Sequence, residues 1–141
     1  MNVLFAIALP AKLESLEKLM RSISDCAKAQ GFQEKRIREI ELAAEEALVN
    51  IFNYSYPGRP GEVEVACKAE EDCFTVEIVD SGIPFDMTSL SDPDITLSTE
   101  ERRIGGLGVF LIKKMVDEVR YRRENDRNIL ALIIKKRKDV L

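Results

Sequence analysis

The sequence predicts an α+β fold, a two-layer sandwich in which a mixed, mostly antiparallel sheet carries helices on one face. Three observations predict it. Apolar residues recur at helical spacing in three segments and at strand spacing in five others. Most of those strands come as sequence neighbours joined by short polar turns, which favours hairpins over parallel crossovers. At 141 residues and 45% apolar content, the chain suffices for one domain, residues 1–141, with a real core.

The elements follow in order. "MNVLFAIALP" opens the chain without leading basic residues, and Pro10 closes it early. It is too short for a membrane span and poor as a signal peptide, so residues 3–9 are expected to form a strand. Residues 10–30 read as a helix with Leu13, Leu16, Leu19, Met20 and Ile23 on one stripe, stopped by Gly31. Residues 33–53 form a second helix with the stripe Ile37, Ile40, Ala44, Ala47, Leu48 and Ile51. "YPGRPG" breaks it. Val63, Val65, Cys67 and Ala69 then alternate with Glu62, Glu64 and Lys68 as a strand, and "CFTVEIVD" is its hairpin partner across "EED". Residues 81–104 are polar, punctuated by Pro84 and Pro93, and leave little room for a core element. Within them Ser98-Thr99-Glu100-Glu101 has the form of a capping box opening one helical turn. Residues 108–118 are helical by periodicity, and "VRYRREN" with "NILALIIKK" makes a terminal hairpin.

Composition narrows the chemistry. The formal charge of −4 argues against bulk binding to nucleic acid through phosphate attraction. The chain has no histidine, which removes Ser-His-Asp and Cys-His catalysis and any His-ligated zinc. Its three cysteines are odd in number and show no C-x-x-C spacing, as expected of reduced thiols in a cytoplasmic protein.

Three constellations carry polar residues that their elements do not need. Glu46 and Asn50 stand one helical turn apart, nearly opposite Ile37 and Leu48, yet Leu42, Ala43 and Val49 flank them. Such a pair reads either as a solvated back face or as a site for Mg²⁺ and its waters, with the amide oxygen as ligand and the carboxylate as base. In "VDSGIPFD", Asp80 ends a strand and Gly82 turns the chain. That is either an ordinary strand-end turn or an acceptor for an exocyclic amine such as adenine offers. In "RRIGGLGVFLIKKMVDEV", the glycines Gly105, Gly106 and Gly108 precede a helix and Arg102 and Arg103 precede the glycines. They make either a hinge or a backbone that phosphate oxygens can approach closely at a helix N-terminus. The string is not a Walker A loop, because G-x-x-x-x-G-K-[ST] is absent.

Taken together, an E-x-x-x-N helix, a D-x-G strand end and a G-x-G helix start, in that order, resemble the GHKL ATPase superfamily with its Bergerat nucleotide-binding, histidine kinase-like fold. In particular they resemble its small stand-alone branch, the anti-sigma factor serine kinases of sporulation and general-stress regulation. "EEALVNIFNYSYP" is similar to the N box, "VDSGIPFD" to the G1 box and "GGLGVFLIKKMVDEV" to the G2 box, and the likeness covers nearly the whole chain.

The resemblance implies an ATP- and Mg²⁺-dependent protein serine kinase. In such a protein Asn50 would hold Mg²⁺ and Glu46 would act as general base on a serine hydroxyl. Asp80 would bind the adenine amino group, with Gly82 making room for the ring. The Gly105–Gly106–Leu107–Gly108 turn would wrap the phosphates, Arg103 would reach the γ-phosphate, and residues 81–103 would contain the nucleotide lid. The implied partners are an anti-anti-sigma antagonist carrying the acceptor serine and a sigma factor held by a homodimer, with no direct nucleic-acid contact and no membrane. The alternative is a nucleotide-gated binding module without kinase chemistry. The chain departs from the family pattern at three places: Pro84 replaces the second glycine of D-x-G-x-G, Tyr54 stands where some relatives have histidine, and "RNIL" stands where a Gly-Thr pair is frequent near the adenine.

Overall fold

Strand periodicity and hairpin turns yield a five-stranded sheet, and the helical stripes dock three helices on one of its faces. The computed structural model describes residues 2–89 and 106–136, without the side chains of 106–108. Strand β1 is Asn2–Pro10, helix α1 Leu16–Ala29, helix α2 Glu34–Tyr54, strands β2 and β3 Glu62–Ala69 and Cys73–Asp80. Helix α3 is Gly106–Met115, and β4 and β5 are Glu118–Glu124 and Arg127–Lys135. The order across the sheet is β1-β2-β3-β5-β4, and every pairing among these strands is antiparallel. The expected fold class holds, with no parallel pair among the described residues.

Alternation sorts the two faces as expected. Val63, Val65 and Cys67 on β2, Phe74, Val76 and Ile78 on β3 and Leu130, Leu132 and Ile134 on β5 face the helices and are buried. On the other face Lys68 and Glu77 pair at 3.0 Å. The β4–β5 turn places Asn125 and Asp126 at φ 52° and 60°, the left-handed pair that a two-residue hairpin needs.

Two helix ends differ from expectation. The first helix begins at Leu16 rather than at residue 10, because Pro10 still pairs with Glu62 in the sheet and Ala11 donates to the Gly61 carbonyl at 2.8 Å. Leu13 therefore sits in a 3-10 turn, Leu13–Ser15, and is 66% exposed instead of joining the stripe. Gly31 ends the helical region at φ +85°, as expected of a left-handed stop. The third helix ends at Met115 rather than at residue 118. Its last carbonyl, on Met115, accepts from Arg36 Nη1 at 2.7 Å, and the other guanidinium nitrogen of Arg36 meets Asp117 Oδ2 at 2.5 Å. Asp117 is already committed to the sheet, its N–H donating to the Ile133 carbonyl at 3.1 Å.

Helix α2 lies between the other two helices and over the sheet. Its expected stripe is buried, and so are Ala43 and Asn50. Ser24 on α1 donates to Glu41 Oε2 at 2.5 Å, which ties the first two helices.

Candidate active site

The site is built where the second half of α2 crosses the end of β3 and β5. Asn50 is 4% exposed, so the solvated back face is excluded for this residue. Its Nδ2 donates to the Glu46 carbonyl at 2.7 Å. Its Oδ1 accepts nothing among the described residues, which leaves a buried amide oxygen without a partner. Glu46 is half-buried one turn earlier, and its carboxylate likewise makes no hydrogen bond or ion pair among the described residues. An orphaned hard oxygen beside an unengaged carboxylate fits a magnesium site, since magnesium takes few protein oxygens and keeps its waters.

Asp80 closes β3 on the helix-facing side and is 2% exposed. A carboxylate this deep needs donors, and it has three. Oδ1 accepts from the Gly82 N–H at 2.9 Å and from Asn128 Nδ2 at 2.9 Å. Among the described residues Oδ2 has only the Ser55 hydroxyl, at 3.3 Å. One oxygen is thus saturated and the other retains capacity for a further donor.

Gly82 is required by backbone approach. A Cβ there would lie 2.0 Å from the Ser55 carbonyl oxygen. That same carbonyl accepts the Ile83 N–H at 2.8 Å, so the end of α2 and the turn after β3 are sewn together. Tyr56 adds a second stitch: its hydroxyl accepts from the Ser81 N–H at 2.7 Å and donates to the Glu62 carbonyl at 2.6 Å. Burial pushes the Tyr56 pKa up, which keeps that hydroxyl a donor.

Pro84 offers no N–H to its turn. Asn128 on β5 compensates from across the sheet. Its Nδ2 donates to the Ile83 carbonyl at 2.8 Å, and its Oδ1 accepts from the Phe85 N–H at 3.1 Å, one bond on each side of the proline. The Tyr121 hydroxyl donates to the same Oδ1 at 2.6 Å. Arg123 Nη1 donates to the Gly82 carbonyl at 2.8 Å. Tyr54, where some relatives have histidine, sets its ring 5.4 Å from that of Phe85.

Gly106, Leu107 and Gly108 form the first turn of α3, whose leading N–H groups have no intrahelical acceptors. Helix α3 packs on α2, which brings that turn to the same side of the sheet as Asn50. Arg103, Gly105 and the capping-box segment lie outside the described residues, as does most of the expected lid.

The model of the histidine kinase-like ATPase domain matches residues 9–134. The chain belongs to that family. Within it the chain falls in the anti-sigma factor serine kinase branch. It is similar to the serine-protein kinase RsbW of Listeria monocytogenes serovar 1/2a, with 33% identity over 119 residues, 81% of this chain and 76% of the relative. It is also similar to RsbW of Bacillus cereus strain G9842, with 27% identity over 126 residues, 86% and 79% of the two chains. Among solved structures, the RsbU and RsbW domains of Rv1364c from Mycobacterium tuberculosis align with a TM-score of 0.65 at 13% identity. That match covers 95% of this chain, which spans 32% of the larger one. The SiaB–SiaC complex of Pseudomonas aeruginosa aligns with a TM-score of 0.59 at 14% identity over 94% of this chain and 90% of that one. These structural likenesses support the fold of the family member.

Three residues of this candidate site are not named by the sequence reading, although Asn128 lies within the "RNIL" stretch that it sets near the adenine. Ser55 and Tyr121 leave no local signal. Asn128 does leave one: it shares parity with Leu130, Leu132 and Ile134, so an amide occupies the apolar face of β5.

Proposed function

We propose that this member of the family is an ATP- and Mg²⁺-dependent protein serine kinase whose acceptor is a serine on an anti-anti-sigma antagonist, and which sequesters a sigma factor as a homodimer. The observation that carries the reading is the buried Asn50 amide oxygen, without a partner among the described residues, one helical turn from the Glu46 carboxylate, which is likewise unengaged among them.

When bound, the magnesium ion would neutralise charge on the triphosphate. Everything else is work for the chain. Asn50 offers its Oδ1 to the ion, and the bond from its own Nδ2 to the helix backbone fixes the amide. Glu46 takes the proton of the incoming serine hydroxyl on its carboxylate, within the same helical turn as the metal ligand. Asp80 accepts the exocyclic amine of adenine on Oδ2. The first turn of α3 presents backbone amides to phosphate oxygens through Gly106, Leu107 and Gly108. By the family resemblance Gly105 would join them at the phosphates and Arg103 would reach the γ-phosphate. Phosphoryl transfer asks mainly for positioning and charge neutralisation, so a chain without histidine is adequate.

The test is Glu46→Ala with labelled ATP and a candidate antagonist protein. ATP binding by calorimetry is expected to stay within about threefold of wild type while transfer falls by roughly 10²–10⁴, the span of a lost general base. Unchanged transfer would remove Glu46 from the chemistry. A wild-type protein that binds ATP but labels no serine would favour a nucleotide-gated binding module.

A further inference from the structure

Asp80 and Asn128 are direct cross-strand partners on β3 and β5, both on the helix-facing side and both buried, at 2% and 3% exposure. Asn128 spends all of its hydrogen-bonding capacity in view: two acceptor bonds, from the Phe85 N–H and the Tyr121 hydroxyl, and two donor bonds, to Asp80 Oδ1 and the Ile83 carbonyl. The groups that can act in only one sense decide which way the amide faces. A flipped amide would set its carbonyl against the Asp80 carboxylate and the Ile83 carbonyl, and its NH₂ against the Phe85 N–H. Those three therefore force Nδ2 toward Asp80, and the Tyr121 hydroxyl, which can donate or accept, adds a bond to Oδ1.

The consequence falls on Asp80. A carboxylate torsion is broad and nearly two-fold when left to itself. Here Asn128 and the Gly82 N–H converge on Oδ1 and pin the group, and among the described residues Oδ2 is left with only the long contact to Ser55. The pinned oxygen is spent, and the free one is an acceptor at a fixed place.

We infer that Asn128 is a positioning residue for purine selection: it orients Asp80 so that Oδ2 accepts the 6-amino group of adenine and meets the 6-oxo group of guanine acceptor to acceptor. The inference rests on the reading of Asp80 as the partner of the base. Sites built to receive one hydrogen-bonding group reject an analogue that lacks it, because a buried polar atom is then left unpaired. Tyr121 acts one step further out, through Asn128.

The experiment is equilibrium binding of ATP and of GTP, each with Mg²⁺, to the full chain and its variants, with thermal unfolding in parallel. In Asn128→Ala the ATP dissociation constant is expected to rise by about 10–100-fold, the cost of a lost bond to a charged group. GTP binding is expected to move by less than about threefold, so the ATP:GTP preference shrinks at least tenfold. Tyr121→Phe keeps the ring, removes one of the two bonds that hold the Asn128 amide oxygen in place, and is expected to lower the preference several-fold. Asn128→Thr restores one hydroxyl donor toward Asp80 and is expected to recover part of the preference. If Asn128→Ala and Tyr121→Phe weaken both nucleotides equally, or lower only the unfolding temperature, Asn128 is structural and the inference fails. If the wild-type protein binds neither nucleotide, the failure belongs to the nucleotide reading itself.

Discussion

The side chain of Asn50 turns back on its own helix, its Nδ2 bonded at 2.7 Å to the carbonyl of Glu46, and the buried amide oxygen has no partner among the described residues. Leaving a buried acceptor unmade costs about 1–3 kcal/mol, and nothing in the packing of α2 requires it. A helix that wanted only to fold would carry alanine there, as it does at Ala43, Ala44 and Ala47.

Asn50→Ala is therefore expected to be neutral for folding, with an unfolding temperature within about 3 °C of wild type, because alanine is the better helix former and the lost acceptor had no partner. Binding of ATP in the presence of Mg²⁺ is expected to weaken at least tenfold, and binding in EDTA to change little. Calorimetry with and without the metal separates the two; equal loss in both conditions would place the role of Asn50 in packing instead.

Gly82→Ala carries its cost in the backbone. The added Cβ would stand 2.0 Å from the Ser55 carbonyl oxygen, which is itself fixed by the Ile83 N–H. Neither is the end of a flexible side chain, so the turn or the end of α2 must shift. Overpacking of this kind costs about 1–3 kcal/mol. Denaturant melts are expected to show that loss, together with weakened ATP binding, since Gly82 also donates to Asp80 Oδ1.

Cys67 offers a third check. It is fully buried on the helix-facing side of β2, and burial pushes its thiol pKa well up. A raised pKa means less thiolate at any given pH, and thiolate is the species that alkylates. In native protein at pH 8, iodoacetamide is expected to modify the half-buried Cys26 and Cys73 and to spare Cys67 until the chain unfolds. The same shift sets a stability trend. A group whose folded pKa lies above its unfolded value contributes fully below the unfolded value and less as pH rises. Stability is thus expected to fall as pH climbs past about 9, the ordinary value for the thiol, and Tyr56 adds to the decline past about 10. Urea midpoints between pH 7 and 10.5 measure it, and Cys67→Ala is expected to flatten the first part of the limb.

Among the described residues no helix is long and apolar enough to cross a membrane.

Periodicity alone located the five strands and three helices of the described residues, and the whole α2 stripe is buried, as are Val63, Val65 and Cys67 on β2, whereas Ala69 is only half-buried and Ala66 on the opposite face is buried too. It failed at the ends of helices. Pro10 and Asp117 were both drawn into the sheet by partners far along the chain, Glu62 and Ile133, which no local window contains. The site shows the same division. Glu46, Asn50, Asp80 and Gly82 were legible because each breaks a local pattern: an acid and an amide among apolar helix neighbours, a carboxylate ending a strand, a glycine at its turn.

What the sequence by itself determined is which segments are helix and strand, which faces they bury, and which ordered set of polar residues stands out from them. Only the tertiary structure decided how those residues meet. The β3–β5 register sets Asp80 opposite Asn128, the approach of Ser55 to the turn makes Gly82 obligatory, and the packing of α3 on α2 brings a glycine-bearing helix start to the side where Asn50 lies. The physical reason is separation along the chain: propensity and periodicity act within a few residues, whereas Asp80 and Asn128 are brought together only by the pairing of two whole strands.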